Sequence, residues 1–346
     1  MEKTKILLVS DGGITPDLMQ KLFELEQYGA EVTMIPDTDM HSMSLITDRM
    51  HLLEYEGINA APTFKPLLEA GKDKDIICVH VASINQEVID ACPNLKVVAC
   101  MRGGIENVDL PALTKRGIKC INSPWRSAHA VADFTVGMMI AENKNIARSH
   151  KAIMEGKWRK TYTNQAYIHD MRTRTVGIIG FGYIGSRVIE RLVPFGCKIL
   201  VYDPFKPLDE IRKAGYNAVT QEELLKESDF VTLHLRLSDK TEKYFGAKEF
   251  AQMKPTAYFI NTARSGIVDT AALIHALQTK SIGGAAIDVF DEEPLPPGSP
   301  FLELDNVTLT THMAGTSNDT MRNSVEIAFD DLKNYLQGKP MLNERN

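Results

Sequence analysis

Short β-branched and apolar runs alternate with longer stretches of helical spacing along almost the whole chain. No other feature constrains the fold as tightly, because such alternation specifies parallel strands joined by crossover helices. In the first third, residues 6–9, 31–35, 76–79, 97–99 and 119–121 read as strands, and residues 17–27, 86–91 and 110–116 read as helices with Gly or Pro stops. Residues 40–66 are less regular and read as a long connection with one or two helical turns. Asn122-Ser123-Pro124 interrupts the pattern, and residues 127–157 then run without proline and with apolar residues at helical spacing. That spacing predicts one long helix of roughly 40 Å at ~1.5 Å per residue.

Beyond it the alternation resumes, with strands expected at 176–180, 198–202, 230–234, 257–260, 284–287 and 307–309. The tail 317–336 reads as an amphipathic helix with Ile327, Leu332 and Leu336 among its apolar positions. A chain of 346 residues is too long for one compact core and suits two domains. There is no short internal repeat and no low-complexity linker. The fold class expected is α/β, with two doubly wound parallel sheets.

The formal net charge of −6, from 39 Lys+Arg against 45 Asp+Glu, comes without a basic run and argues against a nucleic-acid partner. No apolar run approaches the ~20 residues of a membrane span. The opening Met1-Glu2-Lys3-Thr4 leads straight into the first strand, too early for a secretory leader. Cys78, Cys92, Cys100, Cys120 and Cys197 are odd in number and form no C-x-x-C pair, which suggests neither a disulfide framework nor a thiolate metal site. They read as small core residues in a reduced compartment, and a cytoplasmic protein is expected.

The clearest chemical signal is Thr175-Val-Gly-Ile-Ile-Gly180-Phe-Gly182-Tyr183-Ile184-Gly185, an apolar strand that runs into G-x-G-x-x-G and then a helix. Gly180 permits the tight turn, Gly182 a close backbone approach to a pyrophosphate, and Gly185 close helix-to-strand packing, while the helix N-terminus supplies positive potential. Alone this could be a glycine-rich turn. Asp203, however, follows the next strand near the spacing of ~20 expected for a ribose-binding carboxylate. An acid there accepts from the ribose hydroxyls and repels a 2′-phosphate, so the expected cofactor is NAD rather than NADP. Lys206 could soften that preference, though it reads more simply as an exposed lysine.

Downstream, the segments around Asn261-Thr262-Ala263-Arg264, Asp288-Val-Phe-Asp-Glu-Glu293-Pro and Thr311-His312-Met-Ala314-Gly each begin as a strand and end in polar residues. Arg264, Glu293 and His312 can therefore meet at the carboxyl edge of the sheet. Such a set suits reduction of a 2-oxo acid. A guanidinium binds the substrate carboxylate as a planar fork, a carboxylate orients the imidazole and favours its charged form, and the imidazole protonates the carbonyl oxygen. Singly, each residue could be a solvated surface group.

From about Val97 to Thr316 the chain resembles the D-isomer-specific 2-hydroxyacid dehydrogenases. The resemblance is carried by Gly103-Gly104-Ile-Glu-Asn-Val-Asp-Leu, Val131-Ala-Asp133, the Gly180–Gly185 fingerprint and Ser228-Asp-Phe-Val-Thr-Leu-His234-Leu235-Arg-Leu-Ser. Met253-Lys-Pro, Asn261-Thr-Ala-Arg264, Asp288-Val-Phe, Glu293-Pro-Leu and His312-Met-Ala-Gly extend it. It implies Arg264, Glu293 and His312 as the catalytic set. Cofactor contacts are implied at Gly180, Gly182, Tyr183, Ile184, Gly185, Asp203, His234, Leu235, Thr262, Ala263, Asp288 and Ala314. Substrate contacts are implied at Arg102, Gly103, Gly104 and Arg264, with the amides near Gly103 and Gly104 on the substrate carboxylate.

By the same resemblance, a flavodoxin-like substrate domain is discontinuous, 1–121 plus 317–346, and a Rossmann NAD-binding domain spans 122–316. The long helix would build a homodimer interface. The likeness is to a phosphoglycerate dehydrogenase-like short form, without a C-terminal regulatory module. In three places the chain departs from the family: Arg236 and Thr311 replace usual prolines, and Ala82 stands where relatives acting on phosphoglycerate tend to carry an arginine. The function expected is NAD-dependent interconversion of a 2-oxo acid and a D-2-hydroxy acid. The alternative is an NAD(H)-sensing corepressor-like protein on the same fold, against which the lack of a Pro/Ser-rich tail counts. A formate dehydrogenase is disfavoured because that branch pairs its histidine with an amide, not a carboxylate such as Glu293.

Overall fold

The structure, a computed structural model, describes residues 3–346; Met1 and Glu2, at the start of the sequence read above, lie outside the described residues. The chain forms two compact units. One runs to Ser127 and resumes over Ser317–Asn346, and the other is Ala128–Thr316. The first crossing thus falls after Ser127, not after Ile121. Asn122 ends a strand of the first unit, and Ser123 and Arg126 hydrogen-bond to Ser324 and Met101 of that unit.

The first unit holds β1 (Thr4–Ser10), β2 (Ala30–Pro36), β3 (Ile76–Val79), β4 (Val97–Cys100) and β5 (Lys119–Asn122). All are parallel, in the order β2-β1-β3-β4-β5, which is the flavodoxin-like winding. Every residue of β3 and β4 is buried, as expected of strands covered on both faces. One face packs on Met19, Leu22, Val325, Phe329 and Leu332. The other packs on Leu67, Val88, Ile89 and Leu113. The strand order reverses between β1 and β3, and the chain leaving these two strands diverges to open a crevice at their carboxyl ends.

Between β2 and β3 the sequence reading is corrected. Met43–Glu56 is a helix of 14 residues, started by the Ser42 side chain on the Leu45 N–H. Its apolar face is weakly periodic, and it is held by Ile46, Met50 and Leu53 packing with Val81 and Ala61, a tertiary contribution that periodicity does not reveal.

The second unit holds β6 (Thr175–Ile179), β7 (Lys198–Tyr202), β8 (Phe230–Leu233), β9 (Tyr258–Asn261), β10 (Gly284–Ile287) and β11 (Val307–Leu309). They are parallel in the order β11-β10-β9-β8-β6-β7. Outside β7, Ala218 forms a single parallel bridge with Val201. This residue is the remnant of a third strand and completes the doubly wound dinucleotide-binding order, which β11 extends.

The single long helix expected over 127–157 is two helices, Ala128–Asn143 and Ile146–Met154. Asn145 separates them with φ 59°, a left-handed conformation that asparagine tolerates better than most residues. Buried Arg148 reaches back to the Glu142 carbonyl at 3.0 Å and to both Glu142 carboxylate oxygens at 2.9 and 3.0 Å. A local side-chain clasp between Arg148 and Glu142 thus sits at the end of the first helix, without a Pro or Gly to mark the place. No helix among the described residues is long and apolar enough to cross a membrane.

Candidate active site

The fingerprint lies at the reversal of strand order between β6 and β8, where doubly wound sheets take their ligands. Gly180 has φ +106°, and a Cβ there would sit 2.6 Å from the His234 carbonyl oxygen. At Gly185 a Cβ would meet the Gly180 carbonyl oxygen at 2.0 Å, so only glycine lets the helix Tyr183–Leu192 approach so closely. Gly182, the N-cap of that helix, has nothing within 4 Å of a built Cβ and offers no side-chain acceptor to the first turn. The result is an open approach to an uncapped helix N-terminus, a cradle that fits a pyrophosphate.

Asp203, just beyond β7, accepts the Phe181 N–H at 2.7 Å on one oxygen and the Phe205 N–H at 2.8 Å on the other. It therefore ties the glycine turn to the end of β7 and is itself buried. Lys206 lies over the Phe181 ring at 5.3 Å and near Glu210 at 3.5 Å.

Of the other residues expected near the cofactor, Leu235 and Ala263 belong to the core. Thr262 is buried against Thr135 at 2.7 Å. Tyr183 is exposed and Ile184 half-buried on the helix after Gly182. His234 is half-buried; its Nε2 pairs with Thr232 Oγ1 at 3.1 Å, and burial of the ring lowers its pKa to about 3, so the ring is neutral.

The structure brings Glu293 and His312 together: Nδ1 of His312 donates to Oε2 of Glu293 at 2.7 Å. Glu293 Oε1 also accepts the Phe290 N–H at 2.9 Å. Partial burial raises the Glu293 carboxyl, but the His312 and Phe290 hydrogen bonds, with the charges of His312 and Arg264, outweigh it and hold the group below its ordinary value.

His312 has φ 54°, a left-handed conformation uncommon for residues other than glycine. Its loop is fixed by Asp288, fully buried beyond β10. One Asp288 oxygen accepts Thr310 Oγ1 at 2.6 Å and the Met313 N–H at 2.9 Å, and the other accepts the Ala314 N–H at 2.9 Å. Asp288 thus grips the chain on both sides of His312, a positioning role that the sequence reading did not assign to it.

Arg264 follows β9 and is exposed. Its Nη1 donates to the Ala263 carbonyl at 2.7 Å, and Asn261 braces the same turn through the Ala263 N–H and the Arg264 carbonyl.

In the first unit, Gly103 and Gly104 lie in the loop after β4, where Asn122 Nδ2 holds the Gly103 carbonyl at 2.7 Å. Arg102 is buried, with Nη1 against Met50 Sδ and Nη2 at 3.9 and 3.8 Å from Glu54 and Glu106. Two buried groups nearby were missed from sequence: His80 after β3, and Asp11 after β1, whose carboxylate accepts His80 Nδ1 at 3.0 Å. The available signal was Asp11-Gly12-Gly13 directly after a strand. A Cβ on Gly13 would lie 2.8 Å from the His80 ring.

The doubly wound second unit with its glycine turn has the form of a dinucleotide-binding domain, and comparison with known proteins points to the dehydrogenases of hydroxy acids. The profile described as D-isomer specific 2-hydroxyacid dehydrogenase, NAD binding domain, matches residues 136–314. A glyoxylate reductase of Korarchaeum cryptofilum is 36% identical over 282 residues, covering 81% of this chain and 85% of that protein. A D-3-phosphoglycerate dehydrogenase of Methanocaldococcus jannaschii is 35% identical over 306 residues, 85% of this chain but 57% of that longer protein. Among solved structures, a D-lactate dehydrogenase from Sporolactobacillus sp. superposes with TM-score 0.74 at 26% identity and covers 99% of both chains. The chain belongs to the D-isomer specific 2-hydroxyacid dehydrogenase family. It is an NAD-dependent oxidoreductase that interconverts 2-oxo acids and 2-hydroxy acids.

Proposed function

We propose that the enzyme reduces a 2-oxo acid to the D-2-hydroxy acid with His312 as the proton donor, Glu293 as its orienting partner and Arg264 as the holder of the substrate carboxylate. The observation that carries this reading is the 2.7 Å His312–Glu293 hydrogen bond on a loop clamped by Asp288. With Nδ1 committed to Glu293, Nε2 is the nitrogen that presents a proton to the substrate carbonyl. The cofactor, when bound, supplies the hydride that the reaction delivers to the carbonyl carbon. Gly180, Gly182, Gly185 and Asp203 would hold it. The relatives named above as reductases and dehydrogenases favour the enzyme over a corepressor. A panel of 2-oxo acids followed by loss of NADH absorbance tests the assignment, and no turnover with any member would overturn it.

Arg264→Gln should raise KM and lower kcat together, and Arg264→Lys should rescue poorly because a point charge cannot make the forked contact. Equal kcat/KM for the Lys variant and the parent would remove Arg264 from that role. Asp203→Ala should weaken NADH binding by about tenfold or more, given roughly 1.5–3 kcal/mol for a hydrogen bond to a charged group, and shift preference toward NADPH. Titration with both nucleotides checks this; an unchanged NADH/NADPH ratio would leave Asp203 only its turn-fixing bonds to Phe181 and Phe205.

A cytoplasmic homodimer completes the reading. Five cysteines without a disulfide support a reduced compartment. Exposed Ile146, Ile153, Met154 and Trp158, on and after the second of the two helices, support a subunit interface.

A further inference from the structure

The first sheet ends on β5, and one side of that strand faces no other strand of the sheet. An open edge is a row of unpaired N–H and carbonyl groups, a template on which another extended chain can pair. In this molecule the edge is covered from within. The helix Asn318–Leu336 packs on the first sheet through Val325, Phe329 and Leu332 and ends at Gln337. Gly338 follows with φ 68°; its N–H donates to the Tyr335 carbonyl at 3.0 Å, and the Lys339 N–H donates to the Asn334 carbonyl at 2.8 Å. These two bonds form a Schellman stop, with glycine at the left-handed position it requires. Met341 then enters the core, and residues 342–346 run along β5.

The segment meets the edge as a short antiparallel ladder. Ile121 and Glu344 form an antiparallel bridge in a sheet whose strand pairings are all parallel. The Asn122 N–H donates to the Asn343 carbonyl at 3.3 Å, and the Arg345 N–H donates to the Cys120 carbonyl at 2.8 Å. Asn346 adds the next step with its side chain: Oδ1 accepts the Cys120 N–H at 2.8 Å and Nδ2 donates to the Ile118 carbonyl at 2.9 Å. Charge follows the same register, with Lys119 Nζ 3.0 Å from the Glu344 carboxylate. Nearer the helix, buried Asp331 accepts the Leu342 N–H on one oxygen and Asn343 Nδ2 on the other. Leu342, Glu344, Arg345 and Asn346 are themselves exposed, and so are residues 337–340, which feed the segment. Directional hydrogen bonds, with Met341 as one apolar anchor, therefore hold it in place.

We propose that residues 341–346 are a strap that closes the β5 edge of its own molecule and, swung out at the 337–340 turn, closes the same edge of a second copy. The β5 edge is then a strand-addition surface, and its partner is another copy of this chain. The ladder, the Lys119–Glu344 pair and the Asp331 anchor all join the strap to residues outside it, so a second copy's strap makes each of them equally well. No new contact surface is needed. The proposal is independent of the catalytic reading.

Light scattering over a range of concentrations, with hydrogen exchange at the Cys120 and Asn122 amides, tests it. Gly338→Ala puts a side chain at φ 68°, where a built Cβ meets nothing within 4 Å, so it strains the turn without a clash. Its mass should rise with concentration to about twice that of the parent's own assembly as straps exchange, with both amides still protected. Arg345→Pro, an exposed change that removes the N–H donated to Cys120, should speed exchange at both amides by about fivefold or more. Combined with Gly338→Ala, it should bring the mass back to the parent's. A Gly338→Ala chain at the parent's mass throughout, or a raised mass that Arg345→Pro leaves in place, would overturn the pairing of copies. Equal exchange at both amides in the parent and in Arg345→Pro would overturn the strap itself.

Discussion

His312→Asn should retain NADH binding and lose reduction rate by about 10²–10⁴-fold, the usual contribution of a positioned general acid. Asparagine is the informative replacement because it tolerates the left-handed backbone at φ 54°. The Asp288 bonds to Met313 and Ala314 involve backbone N–H groups and survive the change. The loop is therefore kept while the proton is lost, and a rate deficit reports chemistry rather than misfolding. In reduction the ring gives its Nε2 proton to the carbonyl oxygen. Glu293, held below its ordinary value, keeps its charge until the pH falls below the usual carboxylate range, and only there should the pair fail from the acid side. An Asn variant within tenfold of the parent would remove His312 from the acid role.

The same site shows which information a sequence carries. The Gly180–Gly185 turn is legible because each glycine answers a local demand, and the turn opens the helix Tyr183–Leu192. Glu293 and His312 are legible because both follow strands of one sheet, and parallel strands deliver their carboxyl ends to one edge. Asp288 is legible as a residue but not as a clamp, since its role depends on the backbone N–H groups of a loop after another strand. The His80–Asp11 pair is hidden for a related reason: its members follow different strands and meet only because the sheet places β1 beside β3. The helix Met43–Glu56 and the break at Asn145 were misread where tertiary contacts, rather than periodicity or a Pro or Gly signal, decide the backbone.

The break at Asn145 has the largest expected effect on stability. Glu142 is buried, and among the described residues its only charged hydrogen-bond partner is Arg148; Thr308 Oγ1 donates to it at 2.6 Å. Arg148 also donates to the Asn145 side chain at 2.8 Å, and Asn145 and Tyr258 both bond to Asn164 at 2.9 Å. Arg148→Met keeps much of the volume but strands a carboxylate in the core, and removing one partner of a buried pair costs about 3–5 kcal/mol. Burial already raises the Glu142 pKa against the lowering effect of Arg148, and without the guanidinium protonation is the remaining way to relieve the charge. A carboxyl raised in the folded state is tolerated while protonated and destabilises as pH rises through its folded value. The loss of stability in Arg148→Met should therefore be greater at pH 8 than at pH 5. Glu142→Gln in the same chain should recover part of it at pH 8, because the amide carries no charge to strand. Denaturant unfolding of the parent, the single variant and the double variant at both pH values measures this, and an equal deficit at pH 5 and pH 8 with no recovery would show that the Glu142 charge is not its source.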